Sequence, residues 1–392
     1  MTKKVLIYDD NSRFIEDIIE RIRKVKEFTD IFSIESMNND DFKKEINILV
    51  DRQKGLRKGE ICEDKSLELD KASILIIEYD LVESVAFLTG EYVSYLARCF
   101  SKCDLIIGMN QFGSNMFDLT LKGHPESFSD INLGSKQIDN PGLWGDSKNT
   151  FRPWYWPLMP NYLESFKRKT EDIIDHLDEP IFQVLKIEEL VNLLPRRVIA
   201  FIGKKPTTTT FRDFVEKSGN GLKPKDKNTD NELVARIAVA RLSKWLERLI
   251  LPGQNFLVDA PHLVYRYPSL LLGDIETIDS WNKTTAFGKI ERLGIDQDKI
   301  EVAKYNKDFW LSRHVWFWQK LYNNQKIREV SSPWEREEIN FRFCEDSSRF
   351  HTLEDCDEFI IESDSPYLRR YIFHNNLKGA DYEPRTNLIR PL

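Results

Sequence analysis

The chain has 392 residues, of which 41% are hydrophobic and 31% are charged, a composition typical of a globular protein. Its formal net charge of −7 and the lack of any Lys/Arg-rich run argue against nucleic acid as the main ligand. The N-terminus lacks the apolar stretch of a signal peptide, and no apolar run approaches the ~20 residues of a membrane span. We therefore expect a cytoplasmic protein that does not bind membranes.

The first 110 residues alternate between strand-like and helix-like patterns. Short apolar runs predict strands at residues 5–8, 30–37, 72–81 and 104–110, and amphipathic spacing predicts helices at 12–25, 39–59 and 90–103. The continuous apolar run "ILII" is typical of a parallel strand that is buried on both faces. This alternation predicts an α/β fold with a doubly wound, parallel, flavodoxin-like sheet.

The remaining residues predict an interrupted sheet and a second domain. Residues 111–195 are rich in Gly, Pro, Asn and Trp, and the run "RRVIAFIGKKP" at 196–206 predicts the fifth and last strand. We therefore expect an α/β domain over 1–218 with an insertion at about 111–195, and a linker at 219–231. Residues 232–392 predict an α-rich C-terminal domain of unknown type, with further strands within 357–375.

Two pairs of carboxylates follow strands that a parallel sheet can make neighbours. Asp9 and Asp10 come directly after the first strand, and Glu78 and Asp80 come at the end of the third. Since the carboxyl ends of parallel strands meet at one edge of the sheet, we expect these side chains to crowd one pocket. Adjacent carboxylates repel each other, and a hard cation with oxygen ligands relieves that repulsion. The sequence therefore predicts a Mg²⁺ site formed by these four acids.

Polar residues at the ends of the other strands extend this site. Lys204 and Lys205 precede Pro206 at the predicted end of the fifth strand, where a lysine can pair with a phosphoryl oxygen or an acid. Asn110 ends the fourth strand, with Met109 as the alternative if the strand register slips by one residue.

This set resembles the receiver domain of two-component response regulators. The resemblance rests on "VLIYDD" for the acid pair, "ILIIEYDL" for the acceptor strand and "GKKP" for the lysine-proline element. It implies that a histidine kinase donates a phosphoryl group to an acid at the end of the third strand, supported by Mg²⁺. It also implies that Lys205, with Lys204 second, reads out the phosphorylated state.

The acceptor position is open between two residues. Glu78 follows four apolar residues, as the acceptor of the family does, and a glutamate there acts as a fixed mimic of the phosphorylated acid. Asp80 is the acceptor if the strand runs two residues longer; otherwise its backbone carbonyl reaches the metal. The family carries Ser or Thr at the end of the fourth strand, where this chain has Asn110.

The resemblance implies a signalling protein and not an enzyme with a substrate of its own. Its expected partners are a histidine kinase, an effector protein and a second copy of the chain in a homodimer. Receivers of this size also occur in kinase-receiver defence systems of the Detocs type against phage, where a receiver serves as a phosphate sink. Two alternatives stay open, namely a Mg²⁺-dependent phosphohydrolase or nuclease, and a degenerate receiver that acts as a protein-binding scaffold.

Overall fold

The structure is a computed structural model that describes residues 2–60, 67–79, 81, 88–110, 127–145, 152, 156–219, 221–225, 229–286, 290–328, 339–359 and 370–373. Its helices are α1 Ser12–Arg23, α2 Lys26–Thr29, α3 Asn39–Lys58, α4 Gly90–Phe100, α5 Pro141–Trp144, α6 Met159–Ile173, α7 Ile181–Val184, α8 Arg196–Ala200, α9 Phe211–Glu216, α10 Asn231–Trp245, α11 Ala260–Arg266, α12 Ile278–Lys283, α13 Gln297–Ile300, α14 Trp318–Tyr322 and α15 Gln325–Arg328. Within these residues, none of the helices has the length and apolar character that crossing a membrane requires.

A parallel five-stranded sheet forms the centre of the N-terminal half. Its strands are β1 Lys3–Tyr8, β2 Phe32–Ser36, β3 Ile74–Glu78, β4 Leu105–Asn110 and β5 Ile131–Gly134. They lie in the order β2-β1-β3-β4-β5, and every neighbouring pair is parallel. This order is the flavodoxin-like one. The predicted α/β class and parallel sheet are therefore confirmed.

The first four strands and their helices follow the sequence pattern closely. All five residues of β3 are buried, as expected for a strand covered by helices on both faces. Helix α3 begins after Asn38, whose side chain accepts a hydrogen bond from the N–H of Asp41, and it ends at Gly59 in the left-handed conformation (φ 73°). Side-chain capping at the start and a left-handed glycine at the end are the usual signals that limit a helix.

The predicted fifth strand is wrong. Residues 196–200 form helix α8, and the fifth strand is β5, which lies inside the range predicted to be an insertion. A short apolar run does not distinguish a strand from a helix, and Pro195 directly before Arg196 favours a helix start. The sheet therefore has no insertion at 111–195 before its last strand.

The C-terminal third combines short helices with two small sheets. Strands β6 Leu257–Asp259 and β7 Val315–Phe317 pair with each other, and β8 Phe341–Cys344, β9 Arg349–Thr352, β10 Asp357–Phe359 and β11 Arg370–Ile372 form a second sheet. The two strands predicted within 357–375 are confirmed as β10 and β11. The α-rich character predicted for this part is too simple, because both sheets contribute to it.

Helix α10 follows the predicted linker and packs against α4, α6 and α9. Residues 234–245 of this helix are all buried, including Arg236, Arg241 and Lys244. Buried apolar side chains form one cluster that extends from Val5 to Ile372. Packing therefore joins the two sides of the predicted linker, and the domain limits at 218 and 232 stay predictions.

Candidate functional site

Asp9 and Glu78 lie side by side at the carboxyl edge of the sheet. Tyr8 pairs with Ile77 in the β1–β3 register. Asp9 follows Tyr8 and Glu78 follows Ile77, so the two acids are neighbours. Asp9 is 1% exposed and Glu78 is 0% exposed. The strand β3 ends at Glu78, which places this residue at the strand end itself. The predicted meeting of the first and third strands is thus observed for this pair.

Backbone N–H groups hold both carboxylates. The N–H of Asn11 donates to Asp9 Oδ1 (2.8 Å), and the N–H of Tyr79 donates to Glu78 Oε1 (3.0 Å). The side chain of Asn11 also accepts from the N–H of Phe14 and caps helix α1 (3.2 Å). The turns that follow β1 and β3 therefore orient the acids, because backbone N–H groups one or two residues further along the chain donate to them.

Burial changes the ionisation of Asp9. The pKa of its carboxyl is raised to about 6, first because burial disfavours the charged form and further because Asp10 carries a like charge. The N–H of Asn11 and a hydrogen bond shared with Glu78 lower the pKa of Asp9 and oppose this shift. A nearby cation would therefore favour the charged form of Asp9 and lower its pKa.

Helix α4 approaches this edge closely because it starts with glycine. A Cβ atom on Gly90 would lie 2.3 Å from the carbonyl oxygen of Glu78 and 2.6 Å from Cα of Tyr79. The N–H of Gly90 also donates to the carbonyl of Tyr79 (2.8 Å). The glycine thus lets the helix pack against the residues that carry the acidic pair.

Asp9 and Asp10 supply some of the oxygen ligands that a Mg²⁺ ion requires. No N–H or hydroxyl group of the described residues donates to Asp9 Oδ2, and the half-buried Asp10 lies next along the chain. Mg²⁺ is commonly held by one or two carboxylates and retains several water ligands. Across the described ranges, however, no three His, Cys, Asp or Glu side chains are grouped as metal ligands. Asp80, the fourth predicted ligand, lies outside the described residues.

The two predicted lysines do not end a strand of the sheet. Lys204 and Lys205 are exposed in the turn after α8, and the carbonyl of Lys205 accepts from the N–H groups of Thr208 and Thr209 (both 3.0 Å). They follow a helix and not a strand of the sheet, so the predicted position of both is wrong. Asn110 ends β4 as predicted, and its backbone pairs with Gly134 of β5.

A different lysine follows the observed fifth strand. Lys136 comes two residues after Gly134, and its side chain is exposed. Sequence reasoning missed it because β5 has only four residues and lies in a stretch without hydrophobic periodicity. No motif around Lys136 would have identified it.

Comparisons with known proteins found no match to this chain. No protein-family model, curated protein or solved structure matches the chain.

Proposed function

We propose that this chain is a receiver-like signalling protein in which Glu78 mimics a phosphorylated acceptor acid. The observation that carries the proposal is the position of Asp9 beside Glu78 at the carboxyl edge of a sheet with the order β2-β1-β3-β4-β5. Lys136, two residues after β5, supplies a lysine near the end of the fifth strand. A downstream effector is the partner that this role implies, whereas an upstream histidine kinase belongs to the alternative in which Asp80 accepts phosphate.

The state of Glu78 favours a mimic over a working acceptor. Its side chain is fully buried, and its Oε1 atom accepts from the N–H of Tyr79. The buried glutamate fills the space that a phosphoryl group on an aspartate would occupy, whereas an aspartate is one methylene shorter and leaves that space open. A fixed acid cannot store phosphate, so we propose that the output is constitutive protein binding and not a phosphate sink.

Shortening Glu78 to aspartate is expected to create an acceptor. After incubation with acetyl phosphate and Mg²⁺, intact-mass spectrometry is expected to show no phosphoryl adduct on the wild type. Glu78→Asp is expected to gain a Mg²⁺-dependent adduct, because the shorter side chain restores the aspartate that the family phosphorylates. Glu35→Asp, the same change on the exposed end of β2, is the matched control and should remain unmodified.

Three outcomes would contradict this proposal. An adduct on the wild type that disappears only in Asp80→Asn would identify Asp80 as the acceptor. It would then support the phosphate-sink function in place of the mimic. Repeated turnover of 4-nitrophenyl phosphate with Mg²⁺ would instead support the phosphohydrolase alternative. A Glu78→Asp variant that folds but takes no phosphoryl group would remove the support for a receiver-like site.

Mg²⁺ is expected to stabilise the folded protein through the acid pair. At ten times its dissociation constant, a ligand that binds only the folded state adds roughly 1.4 kcal/mol to the free energy of unfolding. Thermal unfolding with and without MgCl₂ should show this increase in wild type and not in Asp10→Asn. Glu16→Gln, an exposed acid on α1, is the control that should keep the full increase. An equal response in all three proteins would mean that Mg²⁺ binds elsewhere.

A further inference from the structure

A second site lies at the opposite edge of the sheet. A cavity of about 140 Å³ opens between β5, α6, α10 and residues 309–312. Asp130, which lines it, directly precedes the first residue of β5, whereas Asp9 and Glu78 follow the carboxyl ends of β1 and β3. The cavity is therefore separate from the acidic site and independent of the proposed function.

The cavity combines apolar walls with buried cations. Ile131, Trp156, Leu158 and Phe309 form part of its apolar lining. Its cations are at most 8% exposed and are Arg152, Lys169, Lys244 and Arg248. An apolar pocket with a few convergent charged groups is the usual form of a small-molecule site.

The acids that line the cavity are already engaged. Asp130 accepts from the buried guanidinium of Arg98, from the N–H of Ile106 (2.7 Å) and from the hydroxyl of Tyr162 (3.0 Å). Glu247, the other acid among the described lining residues, accepts from the N–H of Ser312 through Oε1, and its buried Oε2 accepts from no described donor. The lining thus carries four cations against two acids, and one of these acids is balanced by Arg98.

The two lysines donate hydrogen bonds only to neutral oxygens among the described residues. Lys169 Nζ donates to the hydroxyl of Ser243 (3.0 Å), and Lys244 Nζ donates to the carbonyls of Ser127 (3.1 Å) and Ser129. Among the described residues, neither ammonium has a carboxylate as its hydrogen-bond partner. Burial accordingly lowers the pKa of Lys169 to about 8 and, with the charge of Arg241, that of Lys244 to about 7. A buried ammonium without a counterion is costly, and a bound anion would remove that cost.

We propose that this cavity binds a small organic phosphate monoester. The phosphate group would take the place of the missing counterion between Lys169 and Lys244, and the organic group would lie against the apolar wall of Trp156 and Phe309. The two ammonium groups of Lys169 and Lys244, which line one cavity, favour a dianion over a carboxylate. A cavity of about 150 Å³ accommodates a molecule the size of benzene, so the enclosed part of the ligand is about that size and the rest extends through the opening of the cavity.

Isothermal titration calorimetry with phenyl phosphate tests the ligand class on the full chain. We expect one site per chain, with at least tenfold weaker binding for inorganic phosphate, benzoate and benzyl alcohol. Equal affinity for benzyl alcohol would show that the cavity selects apolar molecules and would overturn the proposal. Equal affinity for benzoate would overturn the assignment of a phosphate, since one negative charge would then suffice. Absence of phenyl phosphate binding would overturn the site.

Two lysines of the same helix provide a matched pair of variants. Lys169→Met is expected to weaken phenyl phosphate binding at least tenfold, because it removes the buried ammonium and keeps the side-chain length. Lys167→Met, whose wild-type side chain is 81% exposed two residues earlier on α6, should bind as the wild type does. Thermal unfolding of both variants shows whether they are folded. An equal loss in both, or no loss in Lys169→Met, would contradict the site.

Discussion

Replacing Asp130 with asparagine is expected to lower the free energy of unfolding by about 3–5 kcal/mol, as is usual when one partner of a buried ion pair is removed. The side chains of Asp130 and Arg98 are 3% and 1% exposed, so water cannot replace the lost charge. Asparagine also offers one acceptor oxygen where three donors, from Arg98, Ile106 and Tyr162, now meet a carboxylate. Urea-induced unfolding, followed by tryptophan fluorescence, measures the difference.

A surface ion pair provides the control for this change. Glu20→Gln breaks the exposed contact with Lys24 on α1 and is expected to leave the unfolding midpoint almost unchanged. The double variant Arg98→Met/Asp130→Asn should be more stable than Asp130→Asn alone, because it removes the uncompensated guanidinium. If Asp130→Asn loses no more stability than Glu20→Gln does, Arg98 does not depend on Asp130 for its buried position.

The first four strands and the acidic pair could be predicted because the sequence patterns that define them are local. Each strand is a short apolar run limited by polar residues, and each helix between them has its own amphipathic spacing and caps. Once these strands are parallel, the acids after the first and third must share an edge. The positions of Asp9 and Glu78 therefore follow from local patterns and one rule of topology.

The fifth strand depends on tertiary structure and could not be read in the same way. β5 is four residues long, and its pairing with β4 is what makes it a strand. Helix α6 begins 25 residues after β5 ends, and the cavity at the amino end of this strand lies between it, α6 and α10. By contrast, the run at 196–202 is apolar enough for a strand but lies in a helix and a turn. Apolar content alone does not decide between these two outcomes.

The basic cavity was also hidden from sequence. Lys169 lies in the segment "FKRKTED", which is typical of a solvent-exposed helix face. The side chain is nevertheless 4% exposed, because α10 packs against α6 and brings Ser243 within hydrogen-bond distance of its ammonium. These two residues are 74 positions apart, so only the packing of the helices reveals the burial.

Replacing Lys169 with methionine is expected to stabilise the protein by about 2 kcal/mol at pH 7. The difference between the ordinary pKa of 10.5 and the lowered value of about 8 corresponds to about 3 kcal/mol of unfavourable burial. The lost hydrogen bond to Ser243 offsets about 1 kcal/mol of this gain. The charged and titratable groups that face the Lys169 ammonium around the cavity are Asp130, Arg152, Tyr162, Lys244, Glu247 and Arg248.

The pH dependence of stability distinguishes this effect from simple repacking. Between about pH 8 and 10.5, Lys169 binds more protons in the unfolded chain than in the folded one, so the free energy of unfolding rises with pH in this window. Lys169→Met loses this rise, and the stability curves of variant and wild type should converge above about pH 10. Lys167→Met should run parallel to wild type throughout. A variant less stable than wild type at pH 7 would mean that the ammonium is already compensated and would remove the electrostatic reason for an anionic ligand. A variant that is more stable but no longer binds phenyl phosphate would show that Lys169 is held at a cost to folding and serves the ligand.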